Sequence, residues 1–188
     1  MWRTGTPSRA DLSADGRTAY DEIERVLGHV SGPYALLVNT PSFAVHAAHL
    51  VTSVRREMVL TSRQRHLIAA TVGAGLPCRY VFDRHARLGR NEGISGTVFD
   101  YLAREELPPG LTADEEAVVA FVQELIRQQQ VSDGTFDRTI EVLGIRQAVE
   151  TAAAAGYYAM IAMPLNAFVR PMREEVTGSA STPPARAT

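Results

Sequence analysis

Apolar residues recur at intervals of three and four positions along most of the chain, and alternation of apolar and polar residues is poor. The first spacing is the period of an amphipathic helix, whereas a half-buried strand alternates with a period of two. No segment has the pattern of a convincing strand. The sequence therefore predicts an all-α domain, a bundle of about eight helices joined by short connections.

Capping signals predict where several of these helices begin and end. Thr40 followed by Pro41 predicts an N-cap and a proline at the first helical position, opening a helix that runs to about Glu57. Gly93 is expected to end a helix as a cap in the left-handed conformation, and Gly144 is expected to divide the last two helices. The other start signals are two capping boxes, one proline and two serines: Thr61 with Gln64, Thr112 with Glu115, Pro77, Ser95 and Ser132.

The chain divides into three parts. Residues 1–17 are expected to be an irregular N-terminal extension, and residues 18–172 the helical domain. Residues 173–188, a small, polar and proline-containing tail, are expected to be disordered and without a catalytic role.

One segment is nearly long enough to span a bilayer, because residues 151–169 carry no charge over 19 positions. Alanine is its commonest residue, however, alongside two tyrosines, an asparagine and a proline, and it has little of the leucine, isoleucine and phenylalanine that membrane spans favour. A central or interface helix of an all-α protein is the better interpretation. No membrane partner is expected.

Composition narrows the classes of function. With 188 residues, 45% hydrophobic and 21% charged, the chain fits one soluble globular domain, and its net charge of -2 gives no reason to expect nucleic acid as a partner. All 19 basic residues are arginine, which excludes a Schiff-base lysine, a pyridoxal site and a phosphate-binding loop with its lysine. A single cysteine excludes a disulfide within the chain. The N-terminal stretch lacks the apolar run of a signal peptide, so we expect a cytoplasmic protein.

The segment HLIAATVGAGLPCRYVFDRH, residues 66–85, contains two of the five histidines and the only cysteine. With Pro77 at the first helical position, Cys78 lies in the first turn, where free amides and the helix dipole favour a thiolate. At 100° per residue, Cys78 and His85 share the apolar face of this helix, whereas Arg84 falls on the opposite face. His66 lies on the preceding helix beside small residues, namely Ala69, Ala70 and Gly73, which allow either close packing or a cavity.

Two histidines and a thiol that converge on one space can supply a general base, a general acid and a nucleophile. The alternative is that Cys78 is a small buried hydrophobic residue and that each inward histidine is a hydrogen-bonded core residue. The seven-residue gap from Cys78 to His85 is not a usual ligand spacing and a fourth ligand is not evident, so neither a metal nor a cofactor is predicted. His46 and His49 fit surface or subunit-interface positions, and Tyr157 and Tyr158 fit a core position, from which one hydroxyl could line a pocket.

The stretch LTSRQRHLIAATVGAGLPCRYVFDRHARLGRNEGIS resembles the core of the carboxymuconolactone decarboxylase and alkylhydroperoxidase D-like superfamily. There a helix beginning L-[ST]-x-R leads into a second helix with the pattern H-x-x-x-[AG]-x-x-x-G-[LIV]-S, which here runs from His85 to Ser95. The segments GPYALLVNTPSFA and GYYAMIAMPLNAF are similar to the single-domain, decarboxylase-like branch. The resemblance covers roughly residues 30–170 and implies an all-α fold and a homo-oligomer, as trimers or pairs of trimers.

The active-site motif of that superfamily is altered here. Peroxidase members carry a glutamate, then eleven residues, then C-x-x-C, then three residues and a histidine; His66 stands at the glutamate position and Val81 at the second cysteine, and His85 is the histidine. Peroxide reduction through a disulfide by the family route is therefore excluded. Decarboxylase-like members carry a carboxylate in a Tyr-Glu-Trp-like stretch, of which only Tyr80 is kept.

Three functions stay open. The first is a carboxymuconolactone decarboxylase-like enzyme that performs non-redox acid–base chemistry, such as decarboxylation or isomerisation, on a small carbonyl, lactone or unsaturated acid. His66 and His85 would be acid and base, Cys78 would polarise or attack the substrate, and Tyr80 would bind it. The second is a thiol peroxidase that uses Cys78 alone and is resolved by an external thiol. The third is a non-catalytic ligand-binding or assembly protein on the same fold.

Overall fold

The computed structural model of the chain describes residue 3 and residues 5–169, and over these residues it is built from α-helices without a strand. A short 3-10 turn at Arg9–Asp11 comes first. The eight helices are α1 (Ala14–Leu27), α2 (Pro33–Leu37), α3 (Pro41–Arg56), α4 (Ser62–Gly75), α5 (Arg79–Asn91), α6 (Gly96–Ala103), α7 (Ala113–Gln128) and α8 (Asp133–Phe168). The all-α prediction of about eight helices is confirmed.

Most of the predicted helix ends match the structure. α3 begins at Pro41, and α8 bends at Gly144, which has a φ of 71° and a ψ of 164°. Gly93 has a φ of 81°, as a left-handed end signal requires. The predicted start signals that act as N-caps with a side-chain hydrogen bond are Thr61 and Thr112, each in a capping box, and Ser95 and Ser132.

Two boundaries differ from the prediction. α1 begins at Ala14, because the side chain of Ser13 accepts a hydrogen bond from the amide of Gly16 and caps the helix. Helical structure therefore starts before residue 18, the expected beginning of the helical domain. α5 begins at Arg79, so Cys78 is its N-cap and Pro77 lies outside the helix. The tail at residues 173–188, predicted to be disordered, lies outside the described residues.

α4 is the central helix of the bundle. Its residues 67–73 are all buried, and α5, α6, α7 and α8 pack around it. It therefore separates two apolar clusters: a larger one toward α1, α3 and α8, and a smaller one toward α6. A helix that is apolar on every side is stable only when other helices surround it.

Two glycines bring α4 and α5 into close contact. A Cβ on Gly73 would lie 2.7 Å from the backbone nitrogen of Phe82, and one on Gly89 would lie 2.6 Å from the ring of Phe99 and 3.4 Å from the Cβ of His66. The small residues beside His66 therefore serve close helix packing rather than a cavity. The absence of a side chain at Gly73 lets the backbones of α4 and α5 approach each other directly, and its absence at Gly89 leaves room for the ring of Phe99.

Polar contacts tie α8 to both ends of α4. The side-chain amide of Asn166 donates to the carbonyl of Leu76 at 2.6 Å, beyond the last turn of α4. At the other end, the amide of Gln147 donates to Oε1 of Gln64 at 2.9 Å, and Gln64 also accepts from the amide of Thr61. These bonds hold α8 in a defined register along α4, which fixes the side chains that α8 contributes to the site. In the part of the chain that the structure describes, no helix has both the length and the apolar character needed to cross a membrane.

We expect Gly73→Ala to lower the free energy of unfolding by about 1–3 kcal/mol, because the added methyl group would meet helix backbone that cannot move aside alone. Gly134→Ala is the matched control, since Gly134 lies in an exposed first turn with open space around it. The control should stay within about 1 kcal/mol of the parent protein. Urea unfolding followed by circular dichroism measures both, and equal stability of the two variants would contradict the close approach of α4 and α5.

Candidate active site: a histidine pair on a tyrosine-lined cavity

The contact between α4 and α5 brings His66 and His85 together. Their Nδ1 atoms are 3.1 Å apart, and the ring centroids are 5.3 Å apart with an angle of 53° between the planes. A distance of 3.1 Å joins a donor and an acceptor, so one imidazole carries its proton on Nδ1 and the other does not. The two predicted histidines therefore form one hydrogen-bonded unit.

His85 lies on the wall of a cavity of about 50 Å³. The cavity is enclosed by the end of α1 and the segment that follows it, and by α2, α3, α5 and α8. Its apolar wall residues are Leu27, Pro33, Val51, Val81 and Ile161, and its polar ones are His29, Ser31, Tyr34, Arg55, Tyr80, Arg84, His85, Tyr157 and Tyr158. The volume is sufficient for a few water molecules or a small organic molecule.

Three buried tyrosines lie beside His85. The ring of Tyr158 packs edge-on against His85 at a centroid distance of 4.9 Å, and Tyr157 packs edge-on against Tyr158 at 5.2 Å. The hydroxyl groups of Tyr34 and Tyr157 are 2.7 Å apart and hydrogen-bonded. Burial raises the pKa of Tyr158 to about 12 and also raises the pKa of Tyr34 and of Tyr157, so all three are neutral hydroxyl groups at neutral pH.

Both histidines are neutral at neutral pH. Burial, together with the nearby His66, Arg84 and Arg55, lowers the pKa of His85 to about 3. Burial also lowers the pKa of His66, but Glu92 opposes that shift by favouring the charged form. Of the two rings, His66 is half-buried and His85 is buried, so His66 is the better place for an added proton.

Cys78 does not reach the cavity. Its side chain belongs to the larger apolar cluster and is only 1% exposed. Burial raises the pKa of the thiol, and this effect exceeds the opposite effect of the backbone amides of Val81 and Tyr80 at the start of α5. The thiolate expected from a position at the helix start is therefore not favoured.

Tyr80, which the sequence analysis proposed as a substrate-binding residue, lies on the cavity wall. Its hydroxyl group packs against Gly32, since a Cβ there would lie 2.1 Å from that oxygen. Gly32 also has a φ of 59°, which glycine adopts most readily. The glycine thus allows the segment before α2 to close over Tyr80 and form one side of the cavity.

The sequence did not predict the arginines of the site. Arg84 was placed on the outer face of α5, but it is half-buried and lines the cavity, because its long side chain reaches around the helix. Arg55 comes from the end of α3, and no local pattern connects it with His85. His46 and His49 lie on the surface, where His49 is paired with Glu22 at 3.0 Å. Among the described residues, no three histidine, cysteine or carboxylate side chains form a group that could hold a metal ion.

Comparison with known proteins identifies the fold. No protein-family model and no curated protein matches the chain by sequence, but solved structures do. An uncharacterized peroxidase-related protein from Ralstonia eutropha, described as an alkylhydroperoxidase D core, is 20% identical with a TM-score of 0.74, covering 90% of this chain and 92% of the other. A peroxidase-related protein from Silicibacter sp. is 16% identical with a TM-score of 0.70, covering 91% and 92%.

The debrominase Bmp8 is 15% identical with a TM-score of 0.68, covering 86% of this chain and 87% of the other. A cysteine-to-alanine variant of that debrominase has been solved in complex with 2,3,4-tribromopyrrole, at the same identity and TM-score. Together these structures show that this chain has the alkylhydroperoxidase D-like fold, as the resemblance implied. The similarity concerns the fold and not the reaction.

The lowered pKa values of the two histidines predict a loss of stability in mild acid. An unfolded histidine binds a proton below about pH 6.5, whereas buried His85 does not, so folding becomes less favourable as the pH falls from 6.5 toward 5. His85→Asn should reduce the slope of unfolding free energy against pH by about 1.4 kcal/mol per pH unit in this range. Urea titrations at a series of pH values measure it, and an unchanged slope in His85→Asn would contradict a buried neutral imidazole.

Proposed function

We propose that this chain, with its alkylhydroperoxidase D-like fold, is an enzyme that transfers protons on a small organic substrate without a redox step. The reaction class is decarboxylation, isomerisation or a related lyase reaction on a small carbonyl, lactone or unsaturated acid. The observation that carries the proposal is the bond between Nδ1 of His66 and Nδ1 of His85, with His85 on the wall of a cavity. Such an arrangement is suited to general acid–base catalysis.

The mechanism uses both nitrogens of His85. Its Nδ1 is engaged by His66, which leaves Nε2 to meet the substrate. When Nε2 takes a proton from a carbon next to a carbonyl group, the proton on Nδ1 of His85 moves to Nδ1 of His66. The proton is delivered back to the substrate at another atom when the same two transfers run in reverse.

The pair explains how a buried histidine with so low a pKa can act as a base. A lone imidazole at the position of His85 would have to become a buried cation, which burial opposes. Passing a proton to His66 places the positive charge on the more exposed ring, nearer to Glu92. His85 is thus the proposed catalytic residue, and His66 is a positioning and proton-accepting residue that acts through it.

The thiol peroxidase alternative has less support. It requires a thiolate that meets peroxide, whereas Cys78 is buried in the apolar core with a raised pKa and is not part of the cavity wall. A thiol in such surroundings is a weak nucleophile.

We also propose that the chain forms a homo-oligomer, a trimer or a pair of trimers, through the outer face of α8. Ile145, Val149 and Met163 are 63%, 59% and 66% exposed, and Gly156 is exposed on the same helix. Residues 151–169 add no charge to this face. An exposed apolar face of this kind is typical of subunit interfaces, and a second copy of the chain offers the same face to pair with.

Proton transfer can be tested without knowing the substrate. The purified protein is incubated in D₂O with a panel of small ketones, lactones and unsaturated acids, and deuterium incorporation at carbon is followed by NMR. His85→Asn should lower the exchange rate by about 10²–10⁴-fold, the usual contribution of a general base. Cys78→Ala should keep most of the rate, and His66→Gln should lower it and shift its pH profile.

The opposite pattern would reject the proposal. Loss of activity in Cys78→Ala together with retention in His85→Asn would require thiol chemistry. Ligand binding without exchange on any compound of the panel would instead assign a non-catalytic role.

Met163→Glu should convert the assembled protein to monomers, because a carboxylate in an apolar interface is costly to desolvate. Leu107→Glu is the matched control, since Leu107 is also exposed, at 43%, but lies away from α8. Size-exclusion chromatography with light scattering measures the masses. A monomeric parent protein, or an unchanged mass for Met163→Glu, would contradict this interface.

A further inference from the structure

The cavity beside His85 carries a positive charge that the described part of the chain does not neutralise. Arg55 and Arg84 both line it, and no Asp or Glu residue of the described chain does. Within the described ranges, neither guanidinium group has a hydrogen bond or an ion pair. The chain as a whole has a net charge of -2. A wall with two unpaired arginines and no carboxylate is therefore a local excess of positive charge.

The two arginines act on the same buried groups. Both lower the pKa of His66, His85, Tyr34 and Tyr158, which places their charge close to the site from two different helices, α3 and α5. By contrast, the partly exposed Arg63 is paired with Glu115 at 2.6 Å. Arg84 is half-buried, whereas Arg55 is exposed at the edge of the same wall. Because a partly buried charge is normally paired, the unpaired guanidinium group of Arg84 indicates a partner that comes with the ligand, and Arg55 adds a second positive charge beside it.

We infer that Arg55 and Arg84 bind a carboxylate group of the substrate, so that the cavity takes a small carboxylic acid in its anionic form. The planar guanidinium group matches a carboxylate with two parallel hydrogen bonds. The rest of the wall fits the remainder of such a molecule, since Leu27, Val51 and Ile161 and the tyrosine rings accept a short hydrocarbon part. A cavity of about 50 Å³ limits that part to a few carbon atoms.

This inference rests on the proposed function in one respect: both place the substrate in the cavity beside His85. The bound carboxylate would also favour the charged form of His85, and thereby strengthen it as a base. Arg84 and His85 are neighbours on α5, so one helix would hold both the anion and the imidazole beside it.

The test measures binding of acetate, crotonate and benzoate, and of their uncharged amides, by isothermal titration calorimetry at pH 7. At least one of the acids should bind, and its amide should bind about tenfold more weakly or not at all. Arg55→Gln and Arg84→Gln should each weaken binding of the acid by about tenfold, and Arg84→Lys by less. The matched controls are Arg56→Gln and Arg87→Gln, which remove exposed arginines next to the same helix positions but outside the cavity wall. They should leave the affinity unchanged.

Several outcomes would overturn the inference: no binding by any of the acids, equal affinity for acid and amide, equal weakening in the control variants, or tighter binding of inorganic phosphate than of the acids. Thermal unfolding of each variant shows whether it is folded, and Arg84→Lys keeps the charge if Arg84→Gln does not fold.

The result is separable from the test of proton transfer. Binding of the acid by His85→Asn without exchange supports both proposals. Binding without exchange in the parent protein counts against the proton transfer alone. Exchange on an unsaturated acid at a rate that Arg84→Gln does not change counts against the carboxylate site alone.

Discussion

The direct approach of α4 and α5 is the constraint on which the rest of the structure depends. Gly73 on α4 lies directly against the backbone of Phe82 on α5, so the two helices are closer there than a side chain at position 73 would allow. That distance decides whether the imidazoles of His66 and His85 touch. At the observed separation they form one hydrogen bond of 3.1 Å between their Nδ1 atoms; a helix separation greater by a methyl group would leave two independent rings.

Burial, more than residue type, decides which side chains at the start of α5 and along it can take part in a reaction. Cys78 and His85 are seven residues apart on the same side of the helix, yet the first lies in the apolar core and the second on a cavity wall. Desolvation keeps the thiol protonated and the imidazole neutral, which suits His85 to exchange protons and makes Cys78 a packing residue. The same solvation effect makes the half-buried His66 the better place for a transient charge.

The cavity takes shape only because several distant segments meet there. Hydrogen bonds from Asn166 and Gln147 hold α8 along α4, and this places Tyr157 and Tyr158 next to His85. α3 brings Arg55, and the segment before α2 closes over Tyr80. Neutral hydroxyl groups, a neutral histidine pair and two positive arginines then line one cavity of about 50 Å³, in which charge interactions are stronger than in bulk solvent.

The sequence by itself determined the helices and most of their ends, because apolar spacing and capping residues such as Thr61 and Ser132 act over a single turn. It also identified His66 and His85 as candidates, since they lie in one short segment. Only the tertiary structure decided that Cys78 is shielded, that Arg84 reaches the cavity and that Arg55 joins it. These outcomes depend on how deeply each side chain lies beneath neighbouring helices and on contacts between residues far apart in the chain. Neither can be read from the spacing of apolar residues or from the capping residues of a single helix.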